Sequence, residues 1–202
     1  FDEYWNITMD KAAKYGKRVG FRVMLNNPDI VDEALPDFVL EKVQMHRLEG
    51  EWKGDPSLPR FQHDHLQPDY DNPYFLGWFE EMQQMLAEKY NGSDLIEYMD
   101  TTMYGFWGEG HTWPYEGNLF RSYDVAEKTL LKMYGIQNRC WSKVPLLTNT
   151  QPDFSRVGNS EVIDRSVRDN NWLRTDTIFI ENEQIEALSN RPAWCAAAVE
   201  CG

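Results

Sequence analysis

Cysteine is scarce in this chain: three residues in 202, at Cys140, Cys195 and Cys201. A sparse, odd set does not make a disulfide framework, and no spacing among the three resembles a zinc site. Cys195 and Cys201 fall in one apolar run and share strand parity, which reads as packing. Positive charge is also short, with 20 Lys and Arg against 33 Asp and Glu and a net charge of −13. Nucleic acid is held through Lys/Arg surfaces, so that class of partner is disfavoured, and so is a polyanionic substrate. The acidic excess reads as solubility. No apolar run approaches the roughly 20 residues of a membrane span, and no signal peptide is visible. Dinucleotide-type GxGxxG and Walker-type loops are missing as well, which weakens a nucleotide-binding reading. The sequons Asn6-Ile7-Thr8 and Asn91-Gly92-Ser93 bear only on a eukaryotic secretory setting.

Aromatic residues, by contrast, are abundant, at 14% with eight Trp and ten Tyr. Such rings fill cores, and they also suit sugar stacking. The chain begins at Phe1 and stops at Gly202 directly after an apolar run. Both ends look cut, so residues 1–202 are expected to be one domain within a longer polypeptide.

Apolar spacing organises the rest. Residues 3–16 read as a helix stopped by Gly16, and RVGFRVML (18–25) as a strand closed by Asn26-Asn27-Pro28. Residues 28–72 are irregular and punctuated by proline, the mark of a functional loop or an insertion. Asn72-Pro73 opens the clearest helix, which runs to about Tyr90 before Asn91-Gly92, with Phe75, Trp78, Phe79, Met82, Met85 and Leu86 as its apolar stripe. Strands are expected at 95–104, 144–149, 173–180 and 192–201, the last of them buried. Helices are expected at 122–134, 160–169 and 181–190. Strict alternation of helix and strand means a mainly parallel sheet, either open and doubly wound or part of a (β/α)8 barrel. Whole barrels take about 250 residues, so a barrel would be incomplete here.

In such architectures the chemistry sits at the carboxyl ends of the strands. Asn26 and Asn27 follow the first strand. MYGFWGEGHTWPYEG (103–117) follows the second, carrying Tyr104, Trp107, Glu109, His111, Trp113 and Tyr115. Thr148, Asn149 and Gln151 follow the third, Glu181 and Glu183 the fourth, and Glu200 ends the last. Glu109 lies among Gly105, Gly108 and Gly110, which permit sharp bends or close backbone approach. Two carboxylates on different strand ends are what glycoside hydrolysis requires. Burial beside Trp107 and Trp113 is expected to raise the pKa of the acid partner. Arg22, inside an apolar strand, needs an anionic partner, with Glu109, Glu200 and Asp100 as candidates. His63-Asp64-His65 invites a metal reading but lacks a third ligand at a recognisable spacing.

Two stretches, PDYDNPYFLGWFEEMQQMLAEKYNG (68–92) and LIEYMDTTMYGFWGEGH (95–111), resemble the (β/α)8 glycoside hydrolases of the beta-galactosidase-like clan and their bacterial relatives. KRVGFRVML resembles that clan's third strand and RPAWCAAAVECG its seventh. The resemblance implies a TIM barrel represented here by about strands 3 to 7. It implies a retaining hydrolase of β-linked, galactose-type oligo- or polysaccharide, with Glu109 as acid/base, Glu200 as nucleophile and no cofactor. Arg22, Tyr104, Trp107, His111, Trp113 and Asn149 are the expected substrate-binding residues. The pattern departs at Gly108, where the clan has asparagine before the acid/base. A polysaccharide substrate favours a secreted or periplasmic bacterial setting. The alternative is a barrel-type module that binds carbohydrate without turnover, and a third option is a metal-dependent hydrolase using His63 and His65.

Overall fold

The computed structural model describes residues 2–30, 35–48, 55–61, 64–113, 119–150, 156–175 and 182–200. In chain order the elements are α1 (Asp2–Lys14), β1 (Val19–Phe21), α2 (Asp37–Leu40), β2 (Met45–Arg47), β3 (Leu66–Pro68), α3 (Pro73–Tyr90), β4 (Ile96–Asp100), α4 (Tyr123–Cys140), β5 (Leu146–Asn149), α5 (Arg156–Arg168), β6 (Trp172–Thr175), α6 (Asn182–Ser189) and β7 (Ala197–Val199). Five strands form one parallel sheet in the order β1-β4-β5-β6-β7.

The expected (β/α)8 barrel is not what these residues form. Among the described residues β1 and β7 are the two edges of the sheet and do not pair with each other, so the sheet they form is open, a curled half-barrel. Closure around a filled interior takes about eight tilted strands, and five strands of three to five residues leave the edges apart.

Side-chain alternation sorts the sheet into two faces. Phe21, Met99 and Leu146 face the helices. Met99 and Leu146 share a buried cluster with Phe75 and Phe79 of α3, Leu130 and Met133 of α4, and Val162 of α5, with Phe21 packed against it. On the same face Thr148 bonds Ser166 of α5, and Thr175 donates to Gln184 of α6 at 2.6 Å. The residues of opposite parity are Gly20, Tyr98, Asp100, Leu147, Asn149, Trp172, Arg174 and Ala198, and the cross-strand register keeps them on one face. At Gly20 an added Cβ would fall 2.2 Å from the Tyr98 ring, so only glycine leaves that ring its place.

α3 forms where its boundary residues direct. Asn72 Oδ1 accepts from the Tyr74 and Phe75 N–H groups, and Pro73 takes the first helical position, which satisfies donors a helix start otherwise leaves open. Phe75 and Phe79 are fully buried, each contributing about 2–3 kcal/mol of apolar transfer. The stripe differs from its expected form in one respect. Met85 is exposed, whereas Gln83 is buried and accepts from Trp141 Nε1 at 2.9 Å.

α4 runs six residues beyond its expected end, to Cys140, from a Ser122 cap. Within 28–72, expected to be irregular, β2 and β3 pair antiparallel, Met45 opposite Pro68. The 192–201 run, expected to be a buried strand, yields only β7 at the sheet edge, where Val199 is half exposed. With one neighbouring strand, small side chains there have nothing to pack beneath. Cys195, ahead of β7, is buried; it and Cys140 are free thiols. Cys201 and residues 176–180 lie outside the described residues. Among the described residues no helix is long and apolar enough to cross a membrane.

Candidate functional site

The carboxyl ends of β1, β4, β6 and β7 meet in one charged cluster. Glu109 is its centre. It leaves β4 through a loop that folds on itself: Phe106 N–H donates to the His111 carbonyl at 2.8 Å, Gly110 N–H to the Tyr104 carbonyl at 2.9 Å, and Met103 N–H to the Gly108 carbonyl at 2.9 Å. An added Cβ at Gly105 would lie 2.1 Å from the His111 carbonyl oxygen, and φ there is +80°. The glycines therefore serve a sharp bend of the loop against itself. Trp107 shares the left-handed region at φ 54° without being glycine, a conformation that costs of order 1–2 kcal/mol.

Glu109 is 8% exposed. Its Oε1 accepts from Arg22 Nη1 at 2.6 Å and Arg174 Nη2 at 2.7 Å, and its Oε2 faces His111 Nε2 at 3.2 Å. Burial alone would raise its pKa. The His111 hydrogen bond and the charges of Arg22 and Arg174 outweigh that effect and lower it from 4.5 to about 2. This reverses the expectation that burial beside tryptophan raises it: two guanidinium ions oppose the desolvation. Asn149, at the end of β5, donates Nδ2–H to the Glu109 main-chain carbonyl at 2.9 Å, so it orients the loop.

Arg22 finds two of the three anions proposed for it, Glu109 at 2.6 Å and Asp100 at 3.8 Å. The residue that sequence reasoning missed is Arg174. It is 6% exposed, and its guanidinium touches Asp100 at 3.1 Å, Glu109 at 2.7 Å and Glu200 at 3.4 Å. The signal was the one that marked Arg22: an arginine inside the short run WLRT, where burial demands anions.

Glu200 is not the buried strand tip expected. Its side chain is 61% exposed, and it reaches the cluster through Arg174. The aromatic wall is reduced as well. Tyr104 is fully buried, its ring edge-on to Phe120 at 4.9 Å, so it belongs to the core and offers no stacking face. Trp107 is half-buried and carries the Arg60 guanidinium over its ring at 5.2 Å; Arg60 is itself held by Asp29 through two bonds of 2.8 and 3.0 Å. Trp113 is exposed, and its backbone N–H donates to His111 Nδ1. Tyr115, Gln151 and Glu181 lie outside the described residues, as does the side chain of Glu183.

The metal reading rested on His63 and His65. His63 lies outside the described residues. His65 is buried with Nε2 on the Arg60 carbonyl at 2.6 Å, and Asp64 pairs with Arg47. Among the described residues no three His, Cys, Asp or Glu side chains gather as metal ligands. A depression of about 420 Å³ lies at the amino ends of the strands, lined by Arg18, Asp94, Glu97, Lys143 and Trp172, away from this cluster.

No family model, curated protein or solved structure matches this chain.

Proposed function

We propose that the charged cluster at the carboxyl ends of the strands is a glycoside-hydrolysing site, with Glu109 and Glu200 as its carboxylate pair and a β-linked, galactose-type oligo- or polysaccharide as substrate. The observation that carries this reading is that glutamates from two strand ends share one guanidinium, that of Arg174. A single planar guanidinium between them keeps the two oxygens that touch it within roughly 8 Å, an upper limit that spans both the about 5–5.5 Å of retaining and the wider gap of inverting glycosidases. The exposed Glu200 is open to solvent, and the half-buried Trp107 ring stands beside His111.

In the retaining scheme Glu200 attacks the anomeric carbon while Glu109 gives a proton to the departing oxygen. Water, deprotonated by Glu109, then releases the sugar. The unliganded site sets a condition on this scheme. Glu109 with a pKa of about 2 is a carboxylate at neutral pH. It becomes a proton donor only when substrate draws a guanidinium away from it, and Arg22, with Asp100 at 3.8 Å, has another anion to turn to while Arg174 stays in place.

A second reading, binding without turnover, is favoured by the same saturation. Both Glu109 oxygens are engaged, and its ionised form is the stable one.

Aryl β-galactosides and β-linked galactans test both, with wild type, Glu109→Gln and Glu200→Gln measured for hydrolysis and for binding by calorimetry. The hydrolase reading expects turnover in wild type and losses of at least about 100-fold in each variant. Binding with no turnover moves the second reading ahead. Neither binding nor turnover removes both.

A further inference from the structure

We infer that Arg174 is the positioning residue of this site: it fixes where Glu200 stands relative to Glu109 and thereby sets the gap between the two carboxylates. The geometry stands by itself; the consequence for catalysis rests on the hydrolase reading.

The two glutamates are anchored very unequally. Glu109 has Arg22 and His111 as well as Arg174, and its main-chain carbonyl is held by Asn149. Glu200 follows an edge strand of three residues that, among the described residues, pairs with β6 alone. Its backbone N–H donates to the Thr175 carbonyl at 3.1 Å. Among the described residues the only side chain that reaches its carboxylate is Arg174, through Nη1 at 3.4 Å.

Arg174 is itself well placed to impose a position. It stands in register between Asn149 of β5 and Ala198 of β7, on the face opposite α6. Its Nε lies 3.1 Å from Asp100 Oδ2, and its Nη2 donates to Glu109. The Nη2 hydrogen bond to Glu109 aims the rigid fork and the Asp100 ion pair holds it by charge, so the direction of Nη1 follows from both. Glu109 and Asp100 thus set the guanidinium, and the guanidinium meets Glu200. A lysine would keep the charge but not the plane, since an ammonium on a flexible stem cannot address three carboxylates in fixed directions.

The test compares Arg174→Lys with wild type by hydrogen exchange of the 197–200 amides, by NMR titration of the Glu109 and Glu200 carboxyls, and by kcat and KM on an aryl β-galactoside. The expected result has three parts. Exchange at the Glu200 amide rises about tenfold or more. Glu109 still titrates well below the ordinary range, because charge is retained. kcat falls about 100-fold with KM nearly constant, the cost of misplacing one reacting group. Unchanged exchange at Glu200 together with unchanged kcat overturns the inference. Should Arg174→Lys fail to fold, Glu200→Ala removes the same link from the other side. It must reproduce the faster exchange at position 200, and protection equal to wild type overturns the inference equally. If wild type shows no hydrolysis, the hydrolase reading fails, while the exchange comparison still decides the positioning role.

Discussion

The backbone N–H of Trp113 donates to Nδ1 of His111 at 3.2 Å, and that bond decides which nitrogen of the ring carries the proton. An acceptor at Nδ1 leaves Nε2 as the protonated nitrogen of a neutral imidazole, and Nε2 is the atom facing Glu109 Oε2. His111 is therefore a donor to the carboxylate and a poor candidate for a base toward it. ¹⁵N NMR of the imidazole should show the Nε2–H tautomer. His111→Ala should raise the Glu109 pKa from about 2, and His111→Gln, whose amide can still donate, should raise it less. A Glu109 titration that is unmoved in both variants removes the role assigned to His111.

The depressed Glu109 pKa is also a statement about folding. A carboxyl whose folded pKa lies below its unfolded one stabilises the protein above the unfolded value and loses that contribution as pH falls through the folded one. Here the window runs from 4.5 down to about 2. The lowering is worth about 3 kcal/mol for a group this well buried. Glu109→Gln should cost about 3 kcal/mol near neutral pH, and the difference from wild type should shrink steadily below pH about 4.5. Urea unfolding of both proteins across that range measures it, and a difference that does not change with pH would falsify the linkage.

Gly105→Ala tests the loop. The new methyl meets the His111 carbonyl oxygen at 2.1 Å, and the backbone sits at φ +80°. Neither term has a flexible side chain to absorb it, so the cost should be at least about 2 kcal/mol. The loss should appear in Tm and should spread to the Glu109 titration, since the loop carries that residue. A variant with unchanged Tm would mean that the bend does not depend on glycine.

The sequence shows the site more clearly at single residues than across strands. The need of a buried arginine for an anion is a local rule, and it leads from Arg22 to Glu109 and Asp100. The same rule applies to Arg174, but its three anions come from two strand ends, Asp100 and Glu109 from that of β4 and Glu200 from that of β7, and only the sheet order brings them to β6. α3 is legible because Asn72-Pro73 and Asn91-Gly92 bracket it. β2 and β3 are not, because three-residue strands show no alternation and their pairing is set by tertiary contact. Tyr104 and Glu200 exchange their expected surroundings for a related reason: burial at a strand end depends on which strands lie beside it. β4 has neighbours on both sides, whereas among the described residues β7 has only β6. The open sheet follows from strand count and edge pairing, which alternation of helix and strand alone does not supply.

The backbone of Trp107 has one more consequence. At φ 54° it holds a bulky residue where glycine would rest at no cost, and it does so with the ring wedged among Phe106, His111 and Arg60. The indole is thus spring-loaded: the neighbours press it into place, and the chain beneath resists. Arg60 forms one side of that clamp, and Glu109 lies two residues further along the same turn, so the strain at Trp107 and the placement of the carboxylate belong to one piece of backbone.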